Sequence, residues 1–136
     1  MLLPVGDSGS DGNESKYKEV IFNSHYNTAQ AYLDLGETDA ALKQLALCLE
    51  NSDAVSSDSI SKVFVDLGQI HFNGNDFDGS LRYYEQALSQ HESVGALMGV
   101  GTSLQKLGDL DDAFQVYVRG ENIKCWKDAS PSVSHK

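Results

Sequence analysis

The chain has 136 residues, of which 40% are apolar and 22% charged, enough to bury one hydrophobic core and unlike the make-up of a disordered polymer. Twenty Asp and Glu against ten Lys and Arg leave a net charge of −10. That balance excludes a surface built to neutralise phosphates, so neither nucleic acid nor an anionic membrane surface is an expected partner.

In chain order, residues 1–14, rich in Gly, Ser and Asp, are expected to form a flexible tail. The opening Met1-Leu2-Leu3-Pro4-Val5 lacks the positive flank of a signal peptide, and no apolar run approaches the roughly 18 residues of a membrane span. The expected compartment is the cytoplasm, with the nucleus as the alternative, and no membrane insertion is expected. Six helices are expected at 15–35, 38–51, 58–73, 77–90, 93–107 and 110–127, paired as hairpins over about 15–51, 58–90 and 93–127. Residues 128–136 are expected to be a second flexible tail. The two prolines, Pro4 and Pro131, stand outside this region and leave its backbone free to be helical. Cys48 and Cys125 are far apart and belong to no CxxC pair, so reduced thiols are expected rather than a disulfide. The sequon Asn13-Glu14-Ser15 carries no weight without a route to the secretory pathway.

Three segments share one internal spacing. His25 is followed by Thr28-Ala29, Tyr32, Ala41, Leu45 and Cys48; Phe64 by Leu67-Gly68, His71, Ser80, Tyr84 and Ala87; Leu97 by Val100-Gly101, Leu104, Ala113, Tyr117 and Gly120. The interval from the first large residue to Ala41, Ser80 or Ala113 is 16 residues in each, with no gap. Small residues at Ala29, Gly68 and Gly101, and at Ala41, Ser80 and Ala113, let two helices approach closely. Larger ones such as Tyr32, Leu45, Phe64, Leu67, Tyr84, Leu104 and Tyr117 fill the remaining space. Each hairpin turn offers Gly or Asn for a left-handed helix end, then acids that favour the next helix start. The pattern over Tyr17 to Trp126 resembles the tetratricopeptide repeat. The resemblance implies an all-α fold, a right-handed α-solenoid of three antiparallel helix hairpins.

Departures from the family pattern are specific. Thr28-Ala29 stands where Leu-Gly is usual, and no unit ends in proline. The steps between units are 39 and 33 residues, against a family period of 34, so about five extra residues are assigned to the loop Asn51 to Asp58. Gly99 and Gly101 share one helix, each costing about 1 kcal/mol relative to Ala. Gly101 has a packing role in the repeat, whereas Gly99 has none visible in the sequence, so residues 95–103 are expected to be locally soft.

No set of residues converges on a chemistry. His25 and His71 occupy large-residue helix positions where a structural role is expected, and no HExxH, paired-Cys metal site or phosphate loop is present. Gly99-Val100-Gly101 lacks the third glycine and the preceding strand of a dinucleotide fingerprint. Asp109, Asp111 and Asp112 lack the ligand alternation and closing Glu of a calcium loop. The expectation is a protein that is not an enzyme and takes no cofactor or metal.

The family resemblance implies that first helices line a concave groove that binds a peptide or helical segment of another protein. The groove positions are Asn23, Tyr26, Asn27, Gln30 and Leu33; Lys62, Val65, Asp66, Gln69 and Phe72; and Met98, Thr102 and Gln105. They are amide-rich with apolar spots and a single cation, Lys62. Family members that clamp acidic chaperone tails use Lys and Arg where this chain has Tyr26, Gly95 and Gly99, so only Asn27 matches and such a clamp is not expected. A scaffold or adaptor binding a basic and apolar partner segment is the expectation. The alternative is an assembly subunit that self-associates or docks through exposed solenoid ends, with Trp126 as the end-docking residue.

Overall fold

A computed structural model describes the backbone of residues 10–129 and the side chains of residues 14–122. Among the described residues there are six helices and no strand: α1 (Ser10–Asp34), α2 (Thr38–Glu50), α3 (Ser57–Asn73), α4 (Phe77–Gln90), α5 (Val94–Leu107) and α6 (Leu110–Ala129). The all-helical class and the hairpin order agree with the repeat spacing. Residues 10–14, expected in a tail, are helical and open α1.

The three turns inside the hairpins share one device. A left-handed residue ends the first helix, at Gly36 (φ 79°), Asn75 (φ 66°) and Gly108 (φ 92°). The following N–H then reaches back five residues: Glu37 to the Tyr32 carbonyl (2.8 Å), Asp76 to His71 (2.8 Å) and Asp109 to Leu104 (2.9 Å). These bonds satisfy carbonyls that a helix end would otherwise leave without a donor. In the second turn it is Asn75, not the neighbouring Gly74, that adopts the positive φ, which Asn tolerates better than other side chains.

Capping is less uniform. Asp76 accepts from the Gly79 N–H at 3.0 Å and Ser93 from the Ala96 N–H at 3.1 Å. Glu37, at the N-cap of α2, makes no side-chain cap bond, since its carboxylate stands one methylene further out than that of Asp. The extra residues lie between α2 and α3, where residues 51–56 form a loop. Its ends are fixed by Asn51 and Ser52, which donate to the Leu47 and Leu49 carbonyls, and by Ser56, which accepts from the Ser59 N–H.

The chain divides into two compact units, one ending at Val63 and the other beginning at Phe64. In the first, α1 packs on α2, and Phe22, Ala29, Ala41, Leu45, Cys48 and Val63 are buried. Asp53 of the loop is paired with Lys18 of α1 at 2.8 Å. In the second, α5 packs on both α4 and α6, and Leu67, Tyr84, Ala87, Ala96, Leu97, Val100 and Ala113 are buried.

The small positions of the repeat are the close-approach points. A Cβ on Gly68 would come within 2.9 Å of the Tyr84 ring. A Cβ on Gly99 would overlap the same ring, and one on Gly101 would overlap Tyr117. The absence of a packing reason for Gly99 is therefore corrected: Tyr84 of α4 lies against Gly68 of α3 and Gly99 of α5, contacts that join two successive hairpins. Ser80 and Ser103, both fully buried, share a hydrogen bond of 2.7 Å across α4 and α5.

Candidate functional site

Within the second unit, the helical period separates the packed positions of α3 and α5 from those expected to meet a partner. Val65, Asp66 and Phe72 are half-buried and Gln69 is exposed; Met98 and Thr102 are half-buried and Gln105 is exposed. Two of the amides are held in place. The Gln69 amide nitrogen donates to the Asn73 side-chain oxygen at 3.0 Å, and its oxygen accepts from the Tyr84 hydroxyl at 3.3 Å. The Gln105 oxygen accepts from the Tyr117 hydroxyl at 2.9 Å.

The tyrosines of the second helices thus do two things. Their rings lie over the glycines, and their hydroxyls orient the amides of the first helices. Burial, with the nearby Asp66 charge second, holds the Tyr84 hydroxyl above the ordinary tyrosine pKa. Of the apolar groups, Phe72 meets Phe77 edge-on, with ring centroids 5.1 Å apart. Met98 turns toward α6, where a Cβ on Gly120 would come within 2.6 Å of its methyl carbon. The Thr102 hydroxyl donates to the Gly99 carbonyl at 3.1 Å.

In the first unit, Asn23 and Asn27 are exposed on α1, whereas Tyr26, Gln30 and Leu33 are half-buried. The Tyr26 ring is parallel to Phe22, with centroids 6.5 Å apart. Lys62 is exposed, with its ammonium 4.0 Å from the Asp58 carboxylate one helical turn back. Trp126 lies outside the described side chains, as does Cys125.

The histidines have structural partners. His25 Nδ1 lies 2.8 Å from the Gln44 side-chain oxygen, joining α1 to α2, and His71 Nδ1 lies 2.9 Å from Asp76. Asp76 therefore meets both the α4 N-terminus and His71. Its bond from the Gly79 N–H, followed by the one to His71, holds its carboxyl below the ordinary aspartate pKa. Cys48 is a buried thiol 3.6 Å from the Phe22 carbonyl oxygen. No group of three or more His, Cys, Asp or Glu suited to a metal is found among the described residues.

One surface was not named by the sequence reading. Leu110, Phe114 and Val118 are exposed on α6, with Phe114 at 68%. Their i, i+4, i+8 spacing is legible in the sequence as an apolar stripe, but it adjoins the packed stripe of Ala113 and Tyr117 and reads as one broad core face. Phe77 and Leu81, one 33-residue step earlier on α4, are half-buried.

Two protein-family models, both described as tetratricopeptide repeat, match residues 22–54 and 65–122. Together they cover about two thirds of the chain, which belongs to the tetratricopeptide repeat family. Repeats of this family generally mediate protein–protein interaction and are typically non-catalytic. No curated protein matches the chain. Among the described residues no helix is long and apolar enough to cross a membrane.

Proposed function

We propose that the protein is a non-catalytic interaction module whose first-helix faces bind a peptide or helical segment of a partner, as a scaffold or adaptor in a cytoplasmic multiprotein complex. The observation that carries this reading is the fixing of Gln69 and Gln105 by Tyr84 and Tyr117. An amide offers both a donor and an acceptor to a peptide, and a side chain already held in place loses less freedom on binding. Phe72 and Val65 stand beside Gln69 as apolar anchor points. Tyr26, Gly95 and Gly99 stand where a clamp for an acidic chaperone tail would carry cations, so such a clamp is not part of this reading.

The test is a pull-down from cytosol with the wild-type chain, a Gln69→Ala/Phe72→Ala variant and a separate Tyr26→Ala variant, each checked for helicity. Loss of a partner from a folded variant supports the reading. Retention of every partner by both variants would sink it, as would salt-sensitive binding of a chaperone tail peptide.

The α6 stripe favours a second reading, docking or self-association through α6. Phe77 and Leu81 are half-buried on α4, and Leu110 and Phe114 repeat them on a helix that exposes them.

A further inference from the structure

The second unit also contains a cleft that the groove reading does not use. It has a volume of about 400 Å³ and lies where α4 and α6 flank α5. The buried Val100 and the half-buried Leu104 and Val116 form its apolar floor, and the exposed Glu85 of α4 and Asp112 and Gln115 of α6 stand at its rim. At 3.6 residues per turn, Val100 and Leu104 lie on the side of α5 away from Thr102. The one cation at the rim, Arg119, is ion-paired with Glu92. Neither Glu85 nor Asp112 has an ion-pair partner among the described residues. The cleft therefore presents an apolar floor under two uncompensated carboxylates.

We propose that this cleft receives a lysine side chain from a partner protein, with the methylene stem on Val100, Leu104 and Val116 and the ammonium between Glu85 and Asp112. Charge complementarity selects this occupant. An acidic side chain would be repelled by both carboxylates, a neutral polar one would bring a donor but no charge to offset them, and a purely apolar one would desolvate them. Lysine combines a four-carbon apolar stem with a terminal charge, and so matches floor and rim together. The arrangement is independent of the amide face of α3 and α5, and either surface can fail while the other stands.

The test uses the full chain, isotope-labelled, titrated with a blocked pentapeptide bearing one central lysine, and with the same peptide carrying norleucine or glutamate there. The expected result is a saturable change in the amide signals of Val100, Leu104, Asp112 and Val116 with the lysine peptide. Affinity should be about tenfold weaker for norleucine, the loss expected for a charge-assisted contact. The double variant Glu85→Gln/Asp112→Asn, at exposed positions, should weaken the lysine peptide by about the same factor. Gln115→Lys, which adds a cation at the rim, should also weaken it. Equal affinity for lysine and norleucine would overturn the proposal, as would signal changes centred on Gln69, Thr102 and Gln105, or changes spread over the acids of every turn. Absence of any saturable change would overturn it as well.

Discussion

At the scale of single residues, the position of Tyr84 explains the most. Its ring needs glycine on two different helices, because a methyl at Gly68 or Gly99 would meet it closer than carbon atoms approach. Gly99→Ala is expected to destabilise the fold by about 1–3 kcal/mol, the usual cost of forcing extra volume into a packed site. Adding Tyr84→Leu should recover part of that loss, and a double-mutant cycle by urea unfolding checks it. Strict additivity of the two changes would show that Gly99 matters for a reason other than the ring.

At the scale of helices, two consequences follow. α5 carries Gly95, Gly99 and Gly101, and propensity alone makes it soft. In the fold Ala96, Leu97, Gly99, Val100, Gly101 and Ser103 are all buried, with α4 on one side and α6 on the other. Hydrogen exchange at residues 97–103 should therefore be slow, near the protection of the most stable helices, and fast exchange there would contradict the packing described. The second concerns the start of α4. Asp76 has a folded pKa below its unfolded value, chiefly because it accepts the Gly79 N–H, so its ionised form favours the folded state. That contribution is present above the unfolded aspartate pKa and is lost as pH falls through the lower folded value. Acid unfolding followed by circular dichroism should thus be less steep in Asp76→Asn, which keeps a cap acceptor but cannot titrate. An unchanged acid profile would remove Asp76 from the account.

At the scale of the whole molecule, net charge and surface apolarity pull in different directions. A charge of −10 opposes association between copies, yet Leu110, Phe114 and Val118 expose an apolar stripe on α6. If that stripe drives self-association, sedimentation at micromolar concentration should show a concentration-dependent increase in mass, and Phe114→Glu should return the chain to monomer. A wild-type monomer at all concentrations would leave the stripe to a different protein or to no partner. Much of the charge has a local origin: Asp34, Glu37, Asp39, Asp76, Asp78, Asp109, Asp111 and Asp112 belong to the hairpin turns. Two acids give the total a more specific meaning, since Glu85 and Asp112 border an apolar cleft.

The sequence by itself determined the helical class, the hairpin order and the close-approach positions, because each depends on local spacing. A left-handed Gly or Asn ends a helix wherever it occurs, and a residue too small to hold helices apart recurs at a fixed interval. The six small positions from Ala29 to Ala113 all proved to be buried. Other features depended on which side chains meet across the fold. Gly99 looked like a local defect until the Tyr84 ring was seen against it, 15 residues away in the chain. Gln69 and Gln105 were legible as surface amides, but their fixing by Tyr84 and Tyr117 was not. Glu85, Val100, Leu104 and Asp112 come from three helices, and no spacing rule along one chain segment joins them. Their convergence is set by how α4, α5 and α6 pack, which only the tertiary structure decides.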